Sequence, residues 1–129
     1  MILSFSRDSF EGAIKARTKI HTIRRDEHNR WKPGMTIQFW RGNPRNVKNN
    51  PYQFGTGVVE KVLLIEIFPN KDMVRISFDK NIFATITSAH KLNQLAVNDG
   101  FKDWKEMKEW FTEDFSGKLI IWMDFEAIK

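Results

Sequence analysis

The chain contains no cysteine, which excludes disulfide bonds, thiolate metal sites and a cysteine nucleophile. No apolar run approaches the ~20 residues of a helical membrane span, so no membrane partner is expected. The opening residues, Met1-Ile2-Leu3-Ser4-Phe5, carry neither a basic segment nor a long apolar one. They do not read as a secretory signal, and a cytoplasmic location is expected. A Gly-x-Ser-x-Gly elbow is missing, which disfavours a serine-hydrolase fold. The three histidines form no His-x-x-x-His or Glu-x-x-His pair, so they read as surface or partly buried residues and no metal is expected. Gly55-Thr56-Gly57 looks like half of a phosphate-binding loop, but it precedes a strand instead of joining a strand to a helix. It therefore reads as a flexible strand entry, and no cofactor is expected. Internal repeats, low-complexity tracts and interdomain linkers are also lacking.

What is present suits one domain over 1–129, long enough to bury a core. The formal charge of +5 favours an anionic partner such as nucleic acid. Strands are expected at Ile2–Phe5, Met35–Trp40, Val58–Phe68, Met73–Phe78, Ile82–Ile86 and Leu119–Phe125. Two of them alternate: Met35, Ile37 and Phe39 against Thr36, Gln38 and Trp40, and Val74, Ile76 and Phe78 against Arg75, Ser77 and Asp79; Val58–Phe68 is β-branched and apolar, long enough for a bent strand. Ser6 or Asp8 can cap a short helix bearing Phe10, Ala13 and Ile14. Ser88 can cap one running to Asn98 and closed by Asp99-Gly100, and Asp103 one bearing Trp104, Met107, Lys108 and Phe111. The class is α+β, a small β-barrel of five to six strands with two to three short helices.

Between strands lies Arg41 to Phe54, "RGNPRNVKNNPYQF", with two prolines, four asparagines, three cations and no acid. It reads as a loop longer than most. Trp40, Tyr52 and Phe54 flank it, and with Arg41 and Arg45 they could stack on and neutralise a nucleotide. Trp104, Trp110, Phe111 and Trp122 are assigned to the core.

The stretch "TKIHTIRRDEHNRWKPG", Thr18 to Gly34, joins two hydroxyls, two histidines and a run of cations to a Pro-Gly turn. In an extended chain Thr22 and Arg24 share a face, with Lys19 opposite unless the chain bends near Ile20. Ile20 and Ile23 are expected to anchor the segment. Arg24 suits a phosphate, a carboxylate or a base edge.

Three motifs together resemble the ASCH family, whose fold is similar to the PUA domain. They are "AIKARTKIHTIR" (Ala13 to Arg24), similar to Gly-x-Lys-x-x-Thr-x-Arg; "WKPG" (Trp31 to Gly34) leading into a strand; and "LAVNDGF" (Leu95 to Phe101) before a Trp-containing helix. Arg17 stands where the family usually has glycine. Asp99 stands where the N4-acetylcytidine amidohydrolase branch has glutamate. The resemblance implies a PUA-like barrel with a cleft holding Lys19, Thr22 and Asp99. It also implies a function: hydrolysis or binding of an acylated nucleobase or nucleoside, or binding or cleavage of RNA. In that amidohydrolase branch the threonine is the proposed nucleophile, the lysine activates it and the acid assists proton transfer. Two assignments stand here. Either a desolvated Lys19 takes the Thr22 proton and Asp99 relays it, or a charged Lys19 stabilises the oxyanion and Asp99 is the base.

Overall fold

Seven strands and three α-helices occupy residues 1–79 and 82–128, which this computed structural model describes apart from the side chains of Phe78 and Asp79. In chain order they are β1 (Ile2–Phe5), α1 (Asp8–Lys15), β2 (His21–Arg24), β3 (Thr36–Arg41), β4 (Tyr52–Phe68), β5 (Met73–Asp79), β6 (Ile82–Ile86), α2 (Ala89–Asn98), α3 (Trp104–Trp110) and β7 (Phe115–Ala127). The α+β class holds. The alternation expected for Phe78 and Asp79 lies outside the described residues.

β4 is the spine of one mixed sheet. Its first part pairs antiparallel with β3, from Arg41↔Tyr52 to Thr36↔Val58, and its last part with β5, from Leu64↔Ser77 to Phe68↔Met73. Its other edge pairs with β7, from Gly55↔Ala127 to Ile67↔Phe115. β1 lies parallel to β3, β6 antiparallel to β5, and β2 antiparallel to β7 with His21 opposite Ile121. Register shifts in β4 between Thr56 and Val58, and between Val59 and Lys61, mark bulges, which bend and twist a strand.

Strand pairing does not close the expected small β-barrel: among the described residues no ladder joins β1 to β2. A side chain spans that seam instead, with Arg24 Nη2 donating to the Ser4 carbonyl at 2.8 Å. β2 is the strand that composition hid, four residues long and carrying His, Thr and Arg.

β4 begins six residues before the expected Val58, so the 41–54 loop shrinks to Gly42–Pro51 around a 3₁₀ turn at Val47–Asn49. Gly55-Thr56-Gly57 is consequently interior strand and not a flexible entry. A Cβ at Gly55 would collide with the Phe125 ring and lie 2.9 Å from the Glu126 carbonyl; one at Gly57 would lie 2.9 Å from the Phe39 ring. These glycines let an aromatic core close on the sheet. Phe39 sits edge-on to Trp122 at 4.9 Å and to Phe125 at 5.2 Å, with Phe5 and Phe54 alongside. Phe54 is therefore core and is not available for stacking on a ligand.

The helices follow their caps unevenly. Ser88 Oγ accepts from Lys91 N and Asp103 from Glu106 N, as the sequence indicates. The N-cap of α1 is Arg7, with no side-chain cap bond, so neither Ser6 nor Asp8 plays that part. Phe10 and Ile14 bury one face of α1 as expected. Arg17 adopts φ 65°, the left-handed conformation that glycine favours, and its Nη1 is tied to the Phe125 carbonyl at 3.0 Å. The chain thus turns toward β2 without a glycine there.

Candidate functional site

The C-terminal end of α2 leaves carbonyls without helical partners, and the segment entering β2 docks on them. Ile20 N donates to the Asn98 carbonyl at 2.8 Å, and Lys19 Nζ donates to the Asp99 carbonyl at 2.5 Å. A cation there complements the helix dipole, and it offsets the adverse placement of an aspartate at a helix C-terminus. Gly100 makes the docking possible. Its φ is +96°, and a Cβ there would lie 2.6 Å from Lys19 Cδ and 2.8 Å from the Phe10 ring. The acid-glycine pair is thus a seat for the lysine stem as well as a helix stop.

Lys19 is 1% exposed. Its Nζ also donates to the His21 carbonyl at 2.7 Å, and it lies 3.6 Å from Asp99 Oδ1 and 4.6 Å from the centroid of the Phe10 ring. Burial pushes its pKa down from 10.5 to about 8; the Asp99 carboxylate opposes the shift and the Arg24 charge adds to it. Asp99, 3% exposed, takes His21 Nδ1 on the same oxygen, Oδ1, at 2.8 Å. An ionised carboxylate can only accept, so Nδ1 carries the proton.

These groups border a pocket of about 120 Å³ at the seam between β1 and β2. Lys19, Thr22, Arg24 and Asp99 all line it, with Phe10, Phe101, Trp110 and Phe111 as aromatic wall. The chain does bend near Ile20, which is 38% exposed and does not anchor the segment; Ile23 packs against the core as expected. Trp110, assigned to the core from its spacing, is 52% exposed and is a wall of the pocket. The Thr22 hydroxyl makes no hydrogen bond among the described residues, yet it is not sealed from the pocket. Arg24 Nε is a buried donor with no acceptor among the described residues. Such a group costs ~1–3 kcal/mol while unpaired. Drug-sized ligands need ~300–1,000 Å³, so this pocket admits one ring or one small group.

The remaining expected ligand residues lie elsewhere. Arg41 and Tyr52 line a separate groove with Ser6 and Asp8, where Arg41 pairs with Asp8 and the Tyr52 hydroxyl donates to Glu11 at 2.5 Å. Ser6 borders both hollows. Trp40 is half-buried with its Nε1 donating to Gln38 Oε1 at 3.4 Å, and Arg45 is exposed, its backbone N donating to Asn43 Oδ1. Neither lines the pocket. The other cations of the 18–34 stretch wrap a turn in which the Asp26 carboxylate accepts from Arg30 N and Trp31 N.

His21, 4% exposed, is the partner that sequence reasoning missed. The available signal was its alternation with Thr22 within a strand too short to register as one. Among the described residues no group of three or more His, Asp or Glu side chains could hold a metal ion, and no helix is long and apolar enough to cross a membrane. No protein family, curated protein or solved structure matches this chain.

Proposed function

We propose that the protein is an ASCH-like, PUA-related domain that hydrolyses an acylated nucleobase or nucleoside in the pocket at the β1–β2 seam. The observation that carries this reading is the convergence of Lys19, Thr22, Arg24 and Asp99 on one small aromatic-walled pocket. With a pKa of about 8, roughly one Lys19 in ten is neutral at pH 7, enough for a general base poised near the operating pH. A neutral amine can still donate to both carbonyls that hold it and keep its lone pair. This favours Lys19 as the base.

In this mechanism the Thr22 hydroxyl attacks the acyl carbon while Lys19 takes its proton. No hydrogen bond joins Lys19 to Thr22 among the described residues, so a bridging water or a lysine rotamer change completes the path. Arg24 Nε–H donates to the developing oxyanion, which gives the unpaired donor its acceptor. Collapse expels the base's exocyclic amine, which takes the proton from Lys19. Water then attacks the threonyl ester as Lys19 takes its proton, and Lys19 returns that proton to Thr22 Oγ as the acyl–oxygen bond breaks and the carboxylic acid is released. The test is release of cytidine from N4-acetylcytidine by the purified protein. Thr22→Ala should lower the rate by about 10²-fold or more, and Thr22→Ser should retain part of it. No hydrolysis across a panel of acylated bases sinks the proposal.

A second reading, an RNA-binding or RNA-cleaving module, draws on the cations beside the pocket. Arg24 also borders a hollow with Arg25, His28 and Arg30, and Ser6 also borders the separate Arg41 groove. Phosphate contacts would make affinity for single-stranded RNA fall steeply with salt. Salt-independent binding removes this reading, and RNA cleavage by Thr22→Ala would favour it over the first, because the 2′-hydroxyl would then be the nucleophile.

A further inference from the structure

His21 has no part in the mechanism just given, yet three hydrogen bonds tie it into the site as a closed ring. Lys19 Nζ donates to the His21 carbonyl (2.7 Å) and to the Asp99 carbonyl (2.5 Å), and His21 Nδ1 donates to Asp99 Oδ1 (2.8 Å). All three residues are at most 4% exposed. The backbone of each carboxylate-pair member is fixed independently. Asp99 N bonds to Leu95 O and Ala96 O at the end of α2, and His21 is in register with Ile121 of β7. Only the aspartate side chain has freedom left, and the imidazole removes it.

We infer that His21 is the positioning residue of this pocket: it holds the Asp99 carboxylate off the Lys19 amine and so keeps the lysine available as a base. The geometry shows what it prevents. Oδ1 lies 2.8 Å from the imidazole and 3.6 Å from the amine, so the carboxylate's short hydrogen bond is to the histidine. Asp99 Oδ2 accepts no hydrogen bond among the described residues and is left to the pocket. Without the imidazole the nearest side-chain donor is Lys19, and rotation onto it would form a tight ion pair and hold the ammonium charged. The charged or titratable groups facing Lys19 are Asp99 from the end of α2 and His21 and Arg24 from β2; β1, α1 and β7 face it with the rings of Phe5, Phe10 and Trp122.

This inference rests on the hydrolase reading for its chemistry, but its test does not. The full chain, with ¹³C-labelled lysine, is titrated by NMR, and the Lys19 signal is assigned by its loss in Lys19→Met. In His21→Leu, which keeps bulk and removes the donor, the Lys19 midpoint should rise by about one pH unit or more. His21→Asn, whose Nδ2–H can stand where Nδ1–H stands, should restore most of the difference. An unchanged midpoint in a folded His21→Leu overturns the inference. Should His21→Leu not fold, ¹⁵N spectra of the wild-type imidazole decide: the Nδ1–H tautomer is expected, and a neutral ring protonated on Nε2 overturns it. Where N4-acetylcytidine is hydrolysed, the alkaline rise of kcat should move up with the midpoint, and kcat at pH 7 should fall at least about tenfold with KM nearly constant. A chain that hydrolyses nothing refutes the earlier reading, and the NMR results still judge His21.

Discussion

Lys19 is the residue that is hardest to bury and the one the site is built around. It is kept in place by two carbonyls, an aspartate and an aromatic ring, and its pKa of about 8 against a usual 10.5 makes its presence visible in stability. Between those two pH values the unfolded chain binds a proton that the folded chain has released, so stability rises with pH across that window. The rise attributable to Lys19 is on the order of 3 kcal/mol. Urea unfolding at pH 8 and at pH 10.5 should show it as a gain in wild type over Lys19→Met; equal pH slopes in the two proteins would contradict a depressed lysine. At this scale the sequence was informative about identity and silent about state. Lys19, Thr22 and Asp99 were named together only as an implication of the family resemblance. Whether the lysine was desolvated depended on Phe5, Phe10 and Trp122, which come from three separate elements.

At the scale of elements, the end of α2 does more than terminate a helix. Gly100 supplies a positive φ and an open space that Lys19 and Phe10 fill. Phe10 cannot retreat, since its ring is edge-on to Phe101 at 5.6 Å. Gly100→Ala therefore combines backbone strain with overpacking and should destabilise by about 2–4 kcal/mol, measured by urea unfolding. A loss under half a kcal/mol would mean that the lysine stem moves aside freely. Caps carried by Ser88 and Asp103 were readable because a cap is a local arrangement within four residues. β2 was not readable: four residues cannot establish a period, and β2 is held in place by β7, about a hundred residues downstream. The start of β4 was masked for a similar reason. Tyr52 to Gly57 look like loop by composition, and they become strand because β3 and β7 pair on either side.

For the whole molecule, the defining feature is a sheet left open between β1 and β2, with the pocket in the opening. Arg24 spans that seam by donating to the Ser4 carbonyl and lying 5.2 Å from the Phe5 ring centroid. β1 is a four-residue strand that, among the described residues, pairs only with β3. Arg24→Met should loosen it selectively, lowering amide protection of β1 by about 1–2 kcal/mol while leaving the β4–β7 ladder unchanged. Hydrogen exchange read residue by residue checks this, and uniform loss across the sheet would show that Arg24 supports the global fold instead. The open seam also places the pocket between two cation-bearing hollows, which share Arg24 and Ser6 with it.

By itself the sequence determined the α+β class, the inward faces of the regular strands and two helix caps, because each is written in local periodicity or in a short motif, while Lys19, Thr22 and Asp99 were singled out only through a family resemblance. Tertiary structure alone decided that the ring of strands stays open, that Arg41 and Tyr52 are spent on Asp8 and Glu11, that Trp110 is a wall and Phe54 is core, and that His21 closes a ring with Lys19 and Asp99. Those outcomes depend on which groups a fold brings within hydrogen-bonding distance across chain separations of 33, 41 and 78 residues, and no short window of sequence contains both partners.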